Sequence, residues 1–263
     1  DNSEINKPAV ASFERLMRLE LIDLVHVNTI MLREPLVAAR RCGVPGLVHV
    51  REIIDQDEHL RKVIGLNSSE IVEKVAEHAD HVVSNSLATQ SLFDPGRSGY
   101  VIPNMIEVKA FSNAVEERRA SLARADVEMV VGMISSNLRK KGIGDFIRLA
   151  ARCEHELKNV RFRLVGPETG DLSDLLRQWA GGGVPDNLED AGYVSDPVSA
   201  IASIDVLVNF SHFAESFGRT VLEAMAAHLP VIVYDHGALP FLVHHEESGF
   251  VIPFLTPEAA LPG

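Results

Sequence analysis

The fold of this chain is most constrained by residues 204–235, where a strand pattern, a loop, a helix pattern and a second strand pattern follow one another. Residues 206–210 form a short apolar, β-rich run, which is typical of a strand buried in a parallel sheet. Residues 219–228 switch to strong helix formers, and Pro230 follows the predicted helix. Because residues 231–234 are again apolar and β-rich, the segment predicts a βαβ unit.

Two carboxylates lie around the N-terminus of the predicted helix. Glu215 is in the loop at residues 211–218 and Glu223 is in the helix, with seven residues between them. Ligands of open α/β sheets bind at the carboxyl ends of the strands, and a helix N-terminus favours phosphate through its N–H groups and dipole. A carboxylate beside such a phosphate can accept hydrogen bonds from hydroxyl groups. The segment therefore predicts a site for phosphate and hydroxyl groups.

The same residues carry a resemblance to a known family. Glu215-Ser-Phe-Gly-x4-Glu223-Ala-Met-Ala, followed by Pro230-Val-Ile, resembles the E-x7-E signature of retaining nucleotide-sugar glycosyltransferases (glycosyl transferases group 1, family 4). Two glutamates at this spacing mean little alone, but here they lie within strand, loop, helix, proline and strand. The resemblance implies the α/β fold called GT-B, with two Rossmann-like, doubly wound parallel-sheet domains.

The resemblance also implies an activity. A member of this family moves a hexose-type sugar from a nucleoside-diphosphate sugar to a hydroxyl acceptor, with retention of configuration. The implied acceptor is a saccharide, a lipid-linked molecule or another hydroxyl compound. Neither a catalytic metal nor a cofactor is implied, because the nucleotide sugar is itself a substrate. Two alternatives stay open: a nucleotide-sugar binding module without transfer activity, and a nucleotide-sugar epimerase of the same fold.

The resemblance assigns two catalytic residues, Glu215 and Lys141. Glu215 resembles the residue near the transferred sugar, and Lys141 resembles the lysine of the loop that holds the donor diphosphate. A fixed cation at that position stabilises the negative charge that the departing diphosphate gains. The alternative for this loop, residues 135–142, is a solvated basic loop.

Further donor contacts are carried over in the same way. Glu223 resembles the residue that grips the nucleotide ribose. The usual second cation of the family is replaced by Met133, so Arg139 is the candidate substitute. The implied donor-binding residues are Arg139, Ser216, Phe217, Gly218, Thr220 and Glu223.

Other polar groups favour simpler interpretations. A paired-carboxylate glycosidase also needs two acids, but Glu215 and Glu223 lie on one loop–helix element, which suits ligand binding better than flanking a scissile bond. Asp55-Gln-Asp57 imitates a metal-binding D-x-D motif, and we interpret it as a solvated turn. The run of histidine and glutamate at residues 244–247 is interpreted as a solvated loop rather than a metal site.

Alternating strand and helix patterns along the chain predict two domains. We expect a partial N-terminal, acceptor-side domain at residues 1–126, with a charged, alanine-rich linker at residues 109–127, and a C-terminal donor-binding domain at residues 127–263. Within the first domain, Arg51 stands where the family often has histidine. It is a possible sugar or phosphate contact, or else a surface arginine paired with Glu52 or Asp55.

The family normally opens with a strand and a glycine-rich loop and ends with further helices, which this sequence lacks. The chain is therefore expected to be truncated at both ends, and to bind the donor while transferring sugar poorly or not at all.

Charge and composition exclude several classes. The net charge of −12 argues against nucleic-acid binding, which needs a basic surface. Two cysteines do not form a disulfide framework, so a reduced cytoplasmic setting is expected. No apolar run is long enough for a membrane span and no signal peptide is evident, so an integral membrane protein is not expected, while peripheral membrane contact stays open.

Overall fold

The computed structural model describes residues 5–93, 99–122, 129–179 and 183–261. The chain divides into two compact units, Asp1–Asn104 and Met105–Gly263. Each unit is built on its own parallel β-sheet.

The first unit contains a four-stranded sheet in the order β1-β2-β3-β4. Its strands are β1 (Val25–Val27), β2 (Gly46–Val50), β3 (His81–Ser84) and β4 (Tyr100–Val101), and all are parallel. Its helices are α1 (Lys7–Leu19), α2 (Glu34–Cys42), α3 (Glu58–Ile64), α4 (Ser68–His78) and α5 (Leu87–Phe93). Each strand after β1 is reached through one or more helices, which is the connection that parallel pairing requires.

The second unit contains a six-stranded parallel sheet in the order β10-β9-β8-β5-β6-β7. The strands are β5 (Met129–Ile134), β6 (Val160–Val165), β7 (Leu188–Asp190), β8 (Val206–Asn209), β9 (Val231–Tyr234) and β10 (Phe250–Ile252). The helices are α6 (Val108–Ala120), α7 (Ile143–Cys153), α8 (Gly170–Trp179), α9 (Pro197–Ala202), α10 (Arg219–Ala226) and α11 (Leu239–Leu242). On one side of β5 the strands continue outward as β6 and β7. On its other side β8 is the neighbour, followed outward by β9 and β10, so the direction of strand order reverses between β5 and β8.

Helices cover both faces of the second sheet. Phe146 of α7 and Leu172 of α8 belong to one buried cluster, whereas Ile201 of α9 and Val221 of α10 belong to another. Strand residues alternate between the two clusters because successive side chains of a strand point to opposite faces. The predicted fold class, two parallel-sheet α/β domains, is confirmed.

The βαβ unit that organises the sequence lies where it was expected. The predicted strand at residues 206–210 is β8, the predicted helix at residues 219–228 is α10, and the strand after Pro230 is β9. The helix ends two residues early, at Ala226, because His228 adopts a left-handed backbone conformation with φ of 58°.

The sequence predicts a linker at residues 109–127, but residues 108–120 form helix α6. Lysine, glutamate, arginine and alanine are good helix formers, and the helix also has an apolar side through which Val115 is buried. Arg119 of α6 donates to Asp205 and to the carbonyl oxygen of Ile204, next to β8. The boundary between the compact units consequently falls at residues 104–105 rather than at the predicted position of 126–127.

Among the residues that the structure describes, no helix has both the length and the apolar composition that crossing a membrane requires.

A glycine in the central strand provides a test of this packing. A Cβ added at Gly132 of β5 would lie 2.2 Å from Cγ2 of Ile204, which is fully buried. We expect Gly132→Ala to lower the free energy of unfolding by about 1–3 kcal/mol, because the β-branched neighbour has no room to retreat. Urea denaturation followed by circular dichroism measures the change.

Gly144→Ala is the matched control. An added Cβ at Gly144, in α7, would come no closer than 3.7 Å to Leu175. This variant should be neutral or more stable by about 0.5–1 kcal/mol, because alanine is the better helix former. Equal stabilities of the two variants would contradict the packing described for β5.

Candidate functional site

A cavity of about 390 Å³ opens at the point where the strand order of the second unit reverses. It lies at the carboxyl ends of β5 and β8, the position where open α/β sheets bind ligands. We call it the switch-point cavity. Its lining consists of Met133, Ile134, Ser135, Ser136, Lys141, Val208, Asn209, Glu215, Gly218, Arg219 and Thr220.

The two residues predicted to be catalytic form an ion pair in this cavity. Nζ of Lys141 lies 2.6 Å from Oε1 of Glu215, and each side chain is about one-fifth exposed, at 22% and 19%. Lys141 ends a short 3-10 turn before α7, while Glu215 lies in the loop between β8 and α10. The pair therefore joins the connection that follows β5 to the connection that follows β8.

Backbone hydrogen bonds hold the same two loops together. The carbonyl oxygen of Lys140 accepts from the backbone N–H groups of His212 and Phe213, at 2.9 and 3.0 Å. Gly142 makes this approach possible, since its φ is +78° and an added Cβ would lie 1.8 Å from the carbonyl oxygen of Phe210. The loop carrying Lys141 thus packs directly on the end of β8.

A second ion pair lies on α10. Glu223 is buried with 6% of its surface exposed, and its Oε1 accepts from Nε of Arg219 at 2.9 Å. Arg219 was not among the residues predicted from the sequence. Its position four residues before Glu223 on one helix nevertheless indicates an ion pair between the two side chains. Arg219 lines the cavity, whereas Glu223 is not among its lining residues. Two cations, Lys141 and Arg219, therefore flank the switch-point cavity.

The other candidate cation lies elsewhere. The backbone N–H of Arg139 donates to Oδ2 of Asp171 at 2.9 Å. The side-chain Nε of Arg139 lies 3.7 Å from Oδ1 of Asp171. Arg139 is not among the residues that line the switch-point cavity. Met133 does line it, as a buried apolar side chain at the end of β5.

The remaining predicted donor contacts surround the start of α10. Thr220 and Gly218 line the cavity, and Gly218 caps the helix with a φ of +89°. The side chain of Phe217 is buried and packs into the protein, so only its backbone is available to a ligand. Ser216 is half-buried beside Phe217 and does not line the cavity.

A buried aspartate fixes the loop that carries Glu215. Asp145 of α7 is 3% exposed and accepts hydrogen bonds from Nε2 of His212, at 2.8 Å, and from the hydroxyl of Tyr234. Burial and the contact with Asp145 raise the pKa of the Tyr234 hydroxyl. The tyrosine therefore stays protonated and continues to donate its hydrogen bond to Asp145. Through His212, the same aspartate holds the loop that carries Glu215.

Arg51 lies in the first unit, outside this cavity. Its Nε donates to Oδ1 of Asn28 at 2.6 Å, and its Nη1 donates to Oδ1 of Asn104. The side chain thus contacts two amides rather than the carboxylates of Glu52 or Asp55.

The two polar runs considered as metal motifs lie in different settings. Asp57 caps α3 by accepting from the backbone N–H of Leu60 at 2.8 Å. His244 lies 3.7 Å from Glu247 in an exposed turn. Within the described ranges, no three histidine, cysteine or acidic side chains come together as a metal site would require.

Fold and site together define a class: a GT-B protein whose second unit has a charged cavity at the switch point. The crystal structure of Anabaena HepE in complex with UDP and glucose is 26% identical, with a TM-score of 0.78 over 94% of this chain and 67% of that chain. A glycosyltransferase structure from Rickettsia africae, 16% identical, matches with a TM-score of 0.74 over 98% of this chain and 71% of its own, and shows the fold alone.

The family follows from the sequence of the second unit. Residues 127–261 match the profile of the glycosyl transferases group 1 family, so the chain belongs to that family. N-acetyl-alpha-D-glucosaminyl L-malate synthase from Bacillus anthracis is 24% identical over 204 residues, which are 76% of this chain. The chain spans about half the length, 51%, of that relative.

A double-mutant cycle tests the ion pair between the two loops. Lys141→Met and Glu215→Gln should each destabilise the second unit, because each leaves a partly buried charge without its partner. The double variant should lose less free energy of unfolding than the two single variants lose together. We expect this difference, the coupling energy of the pair, to be about 0.5–1.5 kcal/mol. Urea denaturation of the three variants measures it, and additive losses would show that the pair does not form in the ligand-free protein.

Proposed function

We propose that this protein is a glycosyltransferase that moves a sugar from a nucleoside-diphosphate sugar to a hydroxyl acceptor, with the donor held by the second unit. The observation that carries the proposal is the pair of cations, Lys141 and Arg219, that line one cavity at the switch point. Membership of the glycosyl transferases group 1 family supports it. The HepE complexes with UDP and with UDP-glucose support a uridine nucleotide as the first donor to test.

The cations suit a diphosphate in particular. Lys141 uses one N–H on Glu215, and Arg219 uses its Nε on Glu223, so the other N–H groups of both side chains are available to phosphate oxygens. The N-terminus of α10 adds backbone N–H groups and the positive end of its dipole. When the sugar leaves, the diphosphate gains charge, and these groups stabilise it without moving far.

The two carboxylates have separate roles in this proposal. Glu223 has one oxygen on Arg219 and can offer the other to the ribose hydroxyls. Glu215, held by Lys141, faces the cavity and would contact the transferred sugar. Both carboxylates are paired with cations, Glu215 with Lys141 and Glu223 with Arg219. A glycosidase needs its two acids to flank the scissile bond, whereas Glu215 and Glu223 lie on one loop–helix element, which favours sugar transfer over hydrolysis.

The finer features of the reaction rest on the family resemblance. They are retention of configuration, a hexose-type sugar, and charge stabilisation by side chains in place of a metal. The acceptor class is a saccharide, a lipid-linked molecule or another hydroxyl compound. The name of the Bacillus relative pairs a glucosaminyl group with L-malate, an acid that carries a hydroxyl group.

Incubation with radiolabelled UDP-glucose and a panel of hydroxyl acceptors tests the activity. We expect the label on an acceptor, even at a low rate. Conversion of the nucleotide sugar without any acceptor would indicate an epimerase. Donor binding without either product would indicate a binding module.

The cations are tested by comparing UDP with uridine. Lys141→Ala and Arg219→Gln should each weaken UDP binding by about tenfold or more, because charge-assisted hydrogen bonds are lost, and should leave uridine binding nearly unchanged. Isothermal titration calorimetry measures both ligands. Arg177→Gln, which removes an exposed arginine of the same unit, is the matched control. Equal losses of affinity for UDP and for uridine would show that Lys141 and Arg219 have a structural role rather than a role in diphosphate binding.

Glu223 is tested with the same two ligands. Glu223→Ala should weaken UDP and uridine alike, by roughly 10- to 150-fold, because both present the ribose hydroxyls. Circular dichroism checks that the fold is retained, since the substitution also leaves Arg219 without its partner. Unchanged affinities in a folded variant would remove Glu223 from the site.

A further inference from the structure

A second charged site lies in the first unit, where loops after three of its strands meet. Asn28 follows β1, Arg51 follows β2, and Asn104 lies shortly after β4. Arg51 donates from Nε to Asn28, at 2.6 Å, and from Nη1 to Asn104. All three residues are at the carboxyl ends of parallel strands, the edge at which such sheets bind ligands.

Among the residues that the structure describes, the charge of Arg51 has no anionic partner. Both of its side-chain acceptors are neutral amides, and no carboxylate of the described residues forms an ion pair with it. The nearest acid in sequence, Glu52, is engaged by other groups. One of its oxygens accepts from the hydroxyl of Thr29 at 2.7 Å, and the other accepts from the backbone N–H of Arg51 at 2.9 Å.

The two amides fix the guanidinium plane while leaving donors unused. Hydrogen bonds from Nε and Nη1 hold the side chain at two points, and both N–H groups of Nη2 stay available. A guanidinium held in this way has lost its side-chain freedom before any ligand arrives. Such a planar group recognises carboxylate and phosphate oxygens in a paired geometry that an ammonium cannot reproduce.

One ring nitrogen of a buried histidine next to this site lacks a hydrogen bond among the described residues. His49, in β2, is 6% exposed, and its Nε2 has no hydrogen-bond partner within the described part of the chain. Burial, followed by the charge of Arg51, lowers the pKa of His49, so the imidazole is neutral beside the guanidinium. One guanidinium and one unpartnered ring nitrogen thus lie two residues apart on the same strand and its extension.

We propose that Arg51, held by Asn28 and Asn104, binds a carboxylate or phosphate group of a small-molecule ligand. This inference rests on the proposed function in one respect: in a glycosyltransferase whose donor is held by the second unit, that ligand is the acceptor. The acceptor is then a hydroxyl compound that carries an anionic group.

Titration with simple anions tests the site directly. Inorganic phosphate and malonate are titrated separately into the whole protein, and the Nε–H signal of Arg51 is followed by NMR. At least one anion should bind in the millimolar range, and the stronger of the two identifies the anionic group. Arg51→Gln should weaken that binding by at least about tenfold, since a charge-assisted contact is lost, and Arg51→Lys should also weaken it because the planar group is gone.

Two further variants sharpen the test. Asn28→Asp keeps the shape of the side chain but places a carboxylate on Arg51, so the protein should fold and yet no longer bind the anion. Arg18→Gln removes an exposed arginine of the same unit and should leave anion binding unchanged. Failure of both anions to bind the natural protein, or equal binding by the Asn28→Asp variant, would overturn the inference.

A parallel titration with UDP separates this inference from the proposed function. UDP should bind the natural protein and the Arg51→Gln variant with equal affinity, because its site lies in the second unit. Absence of UDP binding would count against the proposed donor site and leave the anion result standing. Weaker UDP binding by Arg51→Gln would assign Arg51 to the donor and overturn the acceptor assignment.

Discussion

The arrangement of the second unit depends on bringing two loops together at the reversal of strand order. Lys141 arrives from the β5 side and Glu215 from the β8 side, and their side chains meet at 2.6 Å. The backbone contact through Lys140 and the absence of a side chain at Gly142 bring the loops close enough for this pairing. This contact holds the loop between β8 and α10 against the loop between β5 and α7.

The charges at the cavity contrast with those of the whole chain. The protein has a net charge of −12, yet Lys141 and Arg219 face one small cavity. Each cation is paired with a glutamate. The two cations therefore have no uncompensated positive charge before a ligand binds. A diphosphate can then share the cations with the glutamates, which is less costly than desolvating isolated charges.

Much of the fold could be predicted from the sequence, because local patterns determine it. Alternating apolar strands and helices predict parallel sheets, and Pro230 correctly separates α10 from β9. The linker prediction at residues 109–127 was wrong for residues 109–120, which belong to α6, since a charged, alanine-rich stretch suits both a linker and a surface helix. Only its packing on α9, invisible in the sequence, decides between the two.

The site was predictable to a lesser extent. Glu215 and Lys141 were predicted from the sequence, and they meet although they lie 74 residues apart. Their catalytic roles stay predictions. The position of Arg219 at the cavity was not predicted, because the sequence favours Arg139, which lies nearer to Lys141 along the chain but contacts Asp171 in space. Sequence proximity is a poor guide here, because loops from distant strands build the cavity.

The central claim is that the switch-point cavity holds the donor diphosphate between Lys141 and Arg219. A crystal structure of the whole chain with UDP tests it most directly. We expect phosphate oxygens within hydrogen-bond distance of Nζ of Lys141 and of the Arg219 guanidinium, with the ribose beside Glu223. UDP bound elsewhere in the second unit, with both ion pairs of the cavity unchanged, would contradict it.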